Sequence, residues 1–464
     1  MKPRFISVRN DGLGSRLRSI LNAVALAQEC DGTFEFSWPN NANTGSGAAL
    51  APAEVIFSQD FIAQYYRDGW LDLFDFMRGE DAKSRQYQSH LINETQIQRI
   101  ARTRKSNRVC HIAGAHDLRE VLSRPAIYRQ ALQALDFAED IKVAIQAAHD
   151  EDISKDATAL HLRAGDIIER GYRVSGKFTQ WVLPFPLAQN LAERERDMGR
   201  DVVIFGQDPE VVQHICSATG AVSAASLATA HAFNDTQLWF YETYLMARCP
   251  RIFSGGKSAF PQLASWIGDS RNENGYHLFD RETALDLTLA EVTEAASVSD
   301  LQKAFAFWAI SQMYDVITIP TDHVKCLEKA VSYDPVNGLY KLALVSSLIE
   351  AGEYADASAR LASLTSEETK EPSWSLGCLR QTLHELRLPD AKNTRIRVLS
   401  NLEVLLERNN PSAAACIALS SNDPERISGM LKIIAGSDWP AKAFFSYALK
   451  RRLEDAQATR AAQA

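Results

Sequence analysis

Apolar and polar positions follow two different patterns along this chain. At the start, Phe5-Ile6-Ser7-Val8 reads as a strand and Asp11-Gly12-Leu13-Gly14 as a tight turn. Leu17, Ile20, Leu21, Val24 and Leu26-Ala27 then give the apolar stripe of a helix over Leu17–Gln28. Thr33-Phe34-Glu35-Phe36 alternates with period two, which completes a β-α-β unit. Ser58 to His149 is mostly helical in pattern, with Val109–Ile112 a candidate strand. A second α/β series begins near residue 156. It predicts strands at Ala157–Leu162, Asp201–Phe205 and Arg251–Phe253, and helices at Leu187–Arg200, Pro209–Thr219, Thr236–Arg248 and Ser258–Ile267.

Strands alternating with helices predict doubly wound parallel sheets, whose ligands sit beyond the carboxyl ends of the strands. Two such halves would form a cleft. After about residue 295 the pattern becomes helix after helix. Cys326-Leu327-Glu328-Lys329-Ala330, Asp334-Pro335, Leu344, Leu348, Ala351-Gly352, Tyr354 and Ala357 resemble tetratricopeptide repeats, whose period is about 34 residues. With Gly338 as the first position of one repeat, Phe307 and Tyr314 fall where the preceding repeat carries large side chains. Lys341 and Val345 depart from the pattern, so an irregular helical bundle is the rival reading. The chain is expected to end in a polar helix over Arg451–Ala464. The predicted organisation is therefore an N-terminal α/β domain over 1–150, a Rossmann-like domain over 151–290 and an α-helical repeat domain over 296–464.

Composition narrows the functional classes. A chain of 464 residues with 46% hydrophobic and 23% charged residues suits two or three soluble domains. Its net charge of −8 lacks the broad basic footprint of a nucleic-acid binder, so an anionic ligand must be held locally. Seven scattered cysteines without a C-x-x-C pair speak against a disulfide framework or a zinc ribbon and suit a reducing compartment. The opening MKPRFISVRNDGLG has no apolar stretch of signal-peptide length, and no eighteen-residue apolar run follows. A cytoplasmic protein with no transmembrane segment is expected.

Four motifs carry candidate chemistry. In Ala159-Leu160-His161-Leu162-Arg163-Ala164-Gly165-Asp166, His161 and Arg163 would leave one face at the carboxyl end of a strand if the strand ran through Arg163. A guanidinium fork suits a diphosphate oxygen, Gly165 permits a sharp turn, and Asp166 can fix that turn. In Phe253-Ser254-Gly255-Gly256-Lys257-Ser258-Ala259-Phe260, the glycines let backbone amides approach an anion, and Ser258 adds a donor at the positive end of a helix. A Walker A reading fails because Arg251 stands where that motif needs glycine. Gly12-Leu13-Gly14-Ser15-Arg16-Leu17 lacks the third glycine of a dinucleotide fingerprint. Arg16 either touches an anionic substrate or is a solvated helix residue, and Arg18 is expected to be solvated. In Phe205-Gly206-Gln207-Asp208, Gln207 and Asp208 either read a base or ribose, or Asp208 caps the next helix. Asp235 invites the same capping reading.

Together the four motifs resemble the fucosyltransferase superfamily that contains the α-1,6-, α-1,2- and protein O-fucosyltransferases, in which a Gly-containing N-terminal loop, an H-x-R-x-G-D-like motif and a Ser/Gly-rich loop before a helix follow one another along the chain. The resemblance covers scattered motifs over about residues 5–270. It implies a GT-B pair of Rossmann-type domains and an inverting transferase that takes a GDP-sugar, commonly GDP-fucose, with no cofactor and no metal. It also implies that Arg163 binds the β-phosphate and helps the nucleotide leave. His161 would line the donor pocket, and Gly256, Lys257, Ser258, Ala259 and Phe260 would form the diphosphate loop, with Ser254, Gln207, Asp208, Asp166, Gly12, Gly14, Ser15 and Arg16 completing the nucleotide-sugar site. Ser15 replaces a frequent Asn or Asp, and Gly256-Lys257 replaces small polar residues. The acceptor would be a glycan, a lipid-linked saccharide or a protein. Asp11, Asp166 and Glu169 are candidate bases by chain position only. The alternative is a catalytically silent α/β protein whose helical repeats hold a protein partner; binding of GDP separates the two.

Overall fold

The computed structural model describes residues 2–9, 11–38, 51–67, 87–88, 110–112, 117–119, 124, 126–174, 176, 178–313, 320–370 and 392–463. By compactness the chain divides into two units. One comprises Met1–Arg163 and Ala188–Gly275, the other Ala164–Leu187 and Tyr276–Ala464.

The first unit holds two parallel sheets. In one, β1 (Arg4–Val8) lies between β2 (Thr33–Ser37) and β4 (Cys110–Ile112), and β3 (Tyr87–Gln88) pairs with β4. In the other, the order is β7-β6-β5-β8-β9, with β5 at Thr158–Leu162, β6 at Val202–Gly206, β7 at Val222–Ser223, β8 at Arg251–Ser254 and β9 at Arg271–Asn274. The chain leaves β5 toward β6 and β7, then returns to the opposite side for β8 and β9. That reversal is the topological switch point of a Rossmann sheet, and it lies between β5 and β8.

Why these segments fold so is largely as their patterns say. All five residues of β5 are buried, as expected of a central parallel strand. Helix α1 (Leu13–Glu29) begins four residues before the apolar stripe suggests, because Gly12 in extended backbone serves as its N-cap and accepts from the amides of Ser15 and Arg16. Helices α2 (Glu139–Asp150), α3 (Phe185–Asp197), α4 (Pro209–Thr219), α5 (Asp235–Ala247) and α6 (Ala259–Gly268) follow. Helices α5 and α6 join the two sheets' cores. Phe240, Leu263 and Trp266 pack with Leu17, Leu21 and Phe137, while Tyr241, Leu245 and Ala264 pack with Ala159, Phe205 and Ile252.

The second unit is built of helices: α7 (Arg281–Glu294), α8 (Asp300–Met313), α9 (Pro320–Tyr333), α10 (Gly338–Glu350), α11 (Tyr354–Lys370), α12 (Lys392–Leu406), α13 (Pro411–Ser420), α14 (Pro424–Ala435) and α15 (Lys442–Gln463). Gly338 opens α10 behind an Asn337 cap, and Phe307 is buried in α8. Tyr314 lies outside the described residues. Helix α15 starts nine residues before the expected polar tail, because Phe445 and Leu449 pack into a core with Ala414, Ala418, Ile434 and Trp439. No helix among the described residues is long and apolar enough to cross a membrane.

Candidate active site

Three motif-bearing strands end side by side. Leu162 is in register with Gly206 of β6, and Leu160 with Phe253 of β8, so the residues after β5, β6 and β8 share the carboxyl edge of one sheet. The β5 ladder stops at Leu162 and the backbone turns at Ala164 and again at Gly165, whose φ of +35° suits glycine. Arg163 is therefore the first residue past the strand, not its last member, and its side chain is half-buried.

The start of α6 carries the rest. The rings of His161 and Phe260 lie 5.3 Å apart, and Phe260 meets Trp239 at the same separation, so an aromatic row lines this edge. His161 is buried, and its Nδ1 has no hydrogen-bond partner among the described residues. Burial, assisted by the charge of Arg163, lowers its pKa from 6.5 to about 3, which keeps the ring neutral. Ser258 is the N-cap of α6, yet its hydroxyl caps no amide. Fully buried, it also lacks a partner among the described residues. The first amides of α6 are thus left for something other than the usual cap.

A second helix start arrives at the same place. A Cβ built on Gly14, in the first turn of α1, would stand 3.3 Å from the backbone of Ala259, the first residue of α6. Two positive helix ends are thereby brought together at the switch point. Gly12 has open space within 4 Å of a Cβ position, and Ser15 is half-buried beside it.

The remaining expected residues divide. Arg16 is 1% exposed, with its guanidinium 5.0 Å from the Trp38 ring and its Nε donating to the Asp11 carbonyl at 2.7 Å. Burial lowers its pKa to about 10, against the opposing pull of Asp11, and it stays charged at neutral pH. Arg18, expected in solvent, is instead buried over Trp266 at 4.5 Å, because α1 is covered on nearly every side. Ser254 is drawn into the loop itself: its hydroxyl donates to Asn272 Oδ1 at 3.0 Å and accepts from the Gly256 amide at 3.1 Å. Asp208 caps α4, accepting from the amides of Glu210 and Val211, while Gln207 is exposed. The cap of α5 is Asn234, in a capping box with Gln237, and Asp235 is merely its first helical residue. Lys257 is exposed in the loop before α6. The backbone of Asp166 lies in the short helix Gly165–Ile168 and Glu169 is exposed at its end; the side chain of Asp166 lies outside the described residues. Asp11 is ion-paired with Arg9. Among the described residues, no three His, Cys, Asp or Glu side chains gather as a metal site.

One residue was not singled out by the sequence. Glu242, half-buried on α5 one turn from Trp239, has its pKa raised by desolvation from 4.5 to about 7. In the sequence a glutamate at such a helix position reads as an ordinary solvated residue.

No family model matches the chain, and no curated protein matches it in sequence. Partial similarities to solved fucosyltransferases are found. The fucosyltransferase NodZ from Bradyrhizobium is 16% identical with a TM-score of 0.36, over 57% of this chain and 91% of its own. NodZ alpha-1,6-fucosyltransferase soaked with GDP-fucose gives 17%, 0.35, 57% and 93%. POFUT1 in complex with GDP gives 12%, 0.29, 58% and 98%.

Proposed function

We propose that the chain is an inverting glycosyltransferase that takes a GDP-sugar, GDP-fucose in the first instance, and needs no metal. One observation carries the reading: two buried polar atoms, His161 Nδ1 and Ser258 Oγ, lack partners among the described residues where two helix starts meet beside Arg163. Buried polar groups are ordinarily satisfied, so a ligand rich in acceptor oxygens fits this place. In the reaction an acceptor hydroxyl of a glycan, lipid-linked saccharide or protein attacks the anomeric carbon. The bond from that carbon to the β-phosphate oxygen breaks, GDP departs, and the hydroxyl proton passes to a base. Negative charge builds on the leaving phosphate. Arg163 and the uncapped amides of α6 are suited to hold it, which is the task a metal performs elsewhere. The helical unit, in this reading of tetratricopeptide kind, offers a surface for a protein partner.

The choice of base rests on the order of the motifs, and we assign its reading to Glu242, one turn from Trp239 on α5. Guanine presents two adjacent N–H donors on its pairing edge, which one carboxylate can accept together, whereas adenine presents a donor beside an acceptor. A carboxyl with a pKa near 7 has the matching consequence. GDP affinity is expected to rise about tenfold between pH 6 and pH 8 as the group ionises, and then level off. Glu242→Gln should weaken binding and make the profile shallower, leaving only the limb of the β-phosphate's own second ionisation near pH 6; His161, already neutral, adds no limb in this range. Calorimetric titration at four pH values measures this, and a slope that is the same in the unaltered chain and in Glu242→Gln removes the residue from the site.

The reading itself is tested by thermal shift. GDP is expected to stabilise the full chain while ADP and UDP do not, and a screen of nucleotide sugars should then show hydrolysis of one GDP-linked donor. No response to any nucleotide would favour the non-catalytic adaptor.

A further inference from the structure

The segment that directly follows Arg163 in the chain, Ala164–Leu187, belongs by compactness with the helices after Tyr276. It contains little regular structure of its own, a four-residue helix and two 3₁₀ turns at Gly171–Val174 and Thr179–Trp181. Its order must come from what it is fastened to. Arg173 Nε lies 3.5 Å from Asp334 Oδ2, with side chains only 10% and 3% exposed. Asn337 Nδ2 donates to the same Oδ2 at 3.0 Å and to the Arg173 carbonyl at 3.5 Å, while its Oδ1 accepts from the amides of Leu339 and Tyr340. Further along, Trp308 Nε1 donates to Thr179 Oγ1 at 2.9 Å and the Tyr276 hydroxyl donates to the Val182 carbonyl at 2.7 Å.

A buried ion pair is a poor source of net stability, because desolvating both charges offsets their attraction. What it enforces is one geometry: Asp334 Oδ2 is shared between a guanidinium and an amide, and Asn337 is at once the cap of α10 and a donor to the Arg173 backbone. We propose that Arg173, Asp334 and Asn337 form a clasp by which the helical unit positions the chain immediately after Arg163 for transfer. The clasp residues are positioning residues. The inference rests on the transferase reading above for its effect on turnover, and on the contacts alone for its effect on order.

The test uses the full chain with three variants. Arg173→Met keeps the apolar stem and removes the charge. Since this strands Asp334, the double variant Arg173→Met with Asp334→Asn leaves no uncompensated buried charge and keeps an acceptor for Asn337. Arg173→Lys is the conservative control. The measurements are kcat and KM for donor hydrolysis, GDP affinity, melting temperature, and amide exchange over residues 165–182. In the double variant, kcat is expected to fall on the order of tenfold or more while GDP affinity holds. Exchange over 165–182 should accelerate about tenfold with β5 and β8 unchanged. Arg173→Lys should restore most of both. Unchanged exchange and unchanged kcat in a folded double variant overturn the clasp. So does a loss of protection spread over α8–α10 with a matching fall in melting that Lys does not rescue, since that is general destabilisation. If the unaltered chain neither binds GDP nor hydrolyses a donor, the transferase reading fails, and the exchange data still decide whether the clasp orders the segment.

Discussion

Arg163→Ala is expected to melt like the unaltered chain and to lose transfer by about two to three orders of magnitude, the effect of removing one donor aimed at developing charge. The side chain sits past the end of the β5 ladder, so its removal leaves the strand pairings of Thr158–Leu162 intact. The loss should fall mainly on kcat. Ground-state GDP still meets the uncapped amides of α6 and the Ser258 hydroxyl, whereas the charge that appears as the sugar departs has lost its fixed cation. Arg163→Lys keeps a charge but not the planar fork, and should fall between the two. The measurement is single-turnover hydrolysis of the GDP-sugar with GDP affinity determined alongside. Undiminished turnover in a folded Arg163→Ala protein would falsify the assignment of this residue.

How much of this was legible in the chain differs from residue to residue, for physical reasons. β5, β6 and β8 are dense in apolar residues and end in Gly-containing turns, so both the strands and the places where ligands approach them stand out. β9 does not: Arg-Asn-Glu-Asn is an edge strand without an apolar residue, held to β8 by backbone pairing and by polar contacts of Ser254 with Asn272 and Arg251 with Glu273. Arg16 and Arg18 interrupt an apolar stripe, which leaves Arg16 open between substrate and solvent and makes Arg18 read as solvated. Their burial depends on Trp38 and Trp266, one beyond the next strand and the other on α6, and no local window contains either contact. The meeting of Gly14 with Ala259 spans almost the whole first unit and is visible only once α1 and α6 are packed. The association of Ala164–Leu187 with the later helices is hidden for the same reason, since a stretch of short turns carries no periodicity that points to its partner.

The loop before α6 makes the second large prediction. Gly256 has φ of +83°, and a Cβ there would lie 2.9 Å from Asn274 Cγ and 3.0 Å from its Cβ. Its amide donates to Ser254 Oγ, and its carbonyl accepts from Gln262 Nε2 at 2.8 Å, so the peptide units on both sides are pinned. Gly256→Ala therefore meets two separate costs. The left-handed backbone is disfavoured by about 1–2 kcal/mol for a residue with a Cβ, and the collision pushes the loop off β9. Either movement carries Ser258 and the first amides of α6 away from Arg163, and GDP binding is expected to weaken tenfold or more, since about 1.4 kcal/mol is a factor of ten. The two costs can be separated. Asn274→Gly removes the atoms in the way without touching the backbone strain, so the double variant should recover the steric part and keep the rest. A coupling of about 0.5–3 kcal/mol between the substitutions, read as GDP affinity in a double-mutant cycle, is the expected signature of direct contact. If Gly256→Ala binds GDP as well as the unaltered chain, the geometry of this turn is irrelevant to the nucleotide. If the double variant recovers nothing, the contact with Asn274 is not what holds the loop in place.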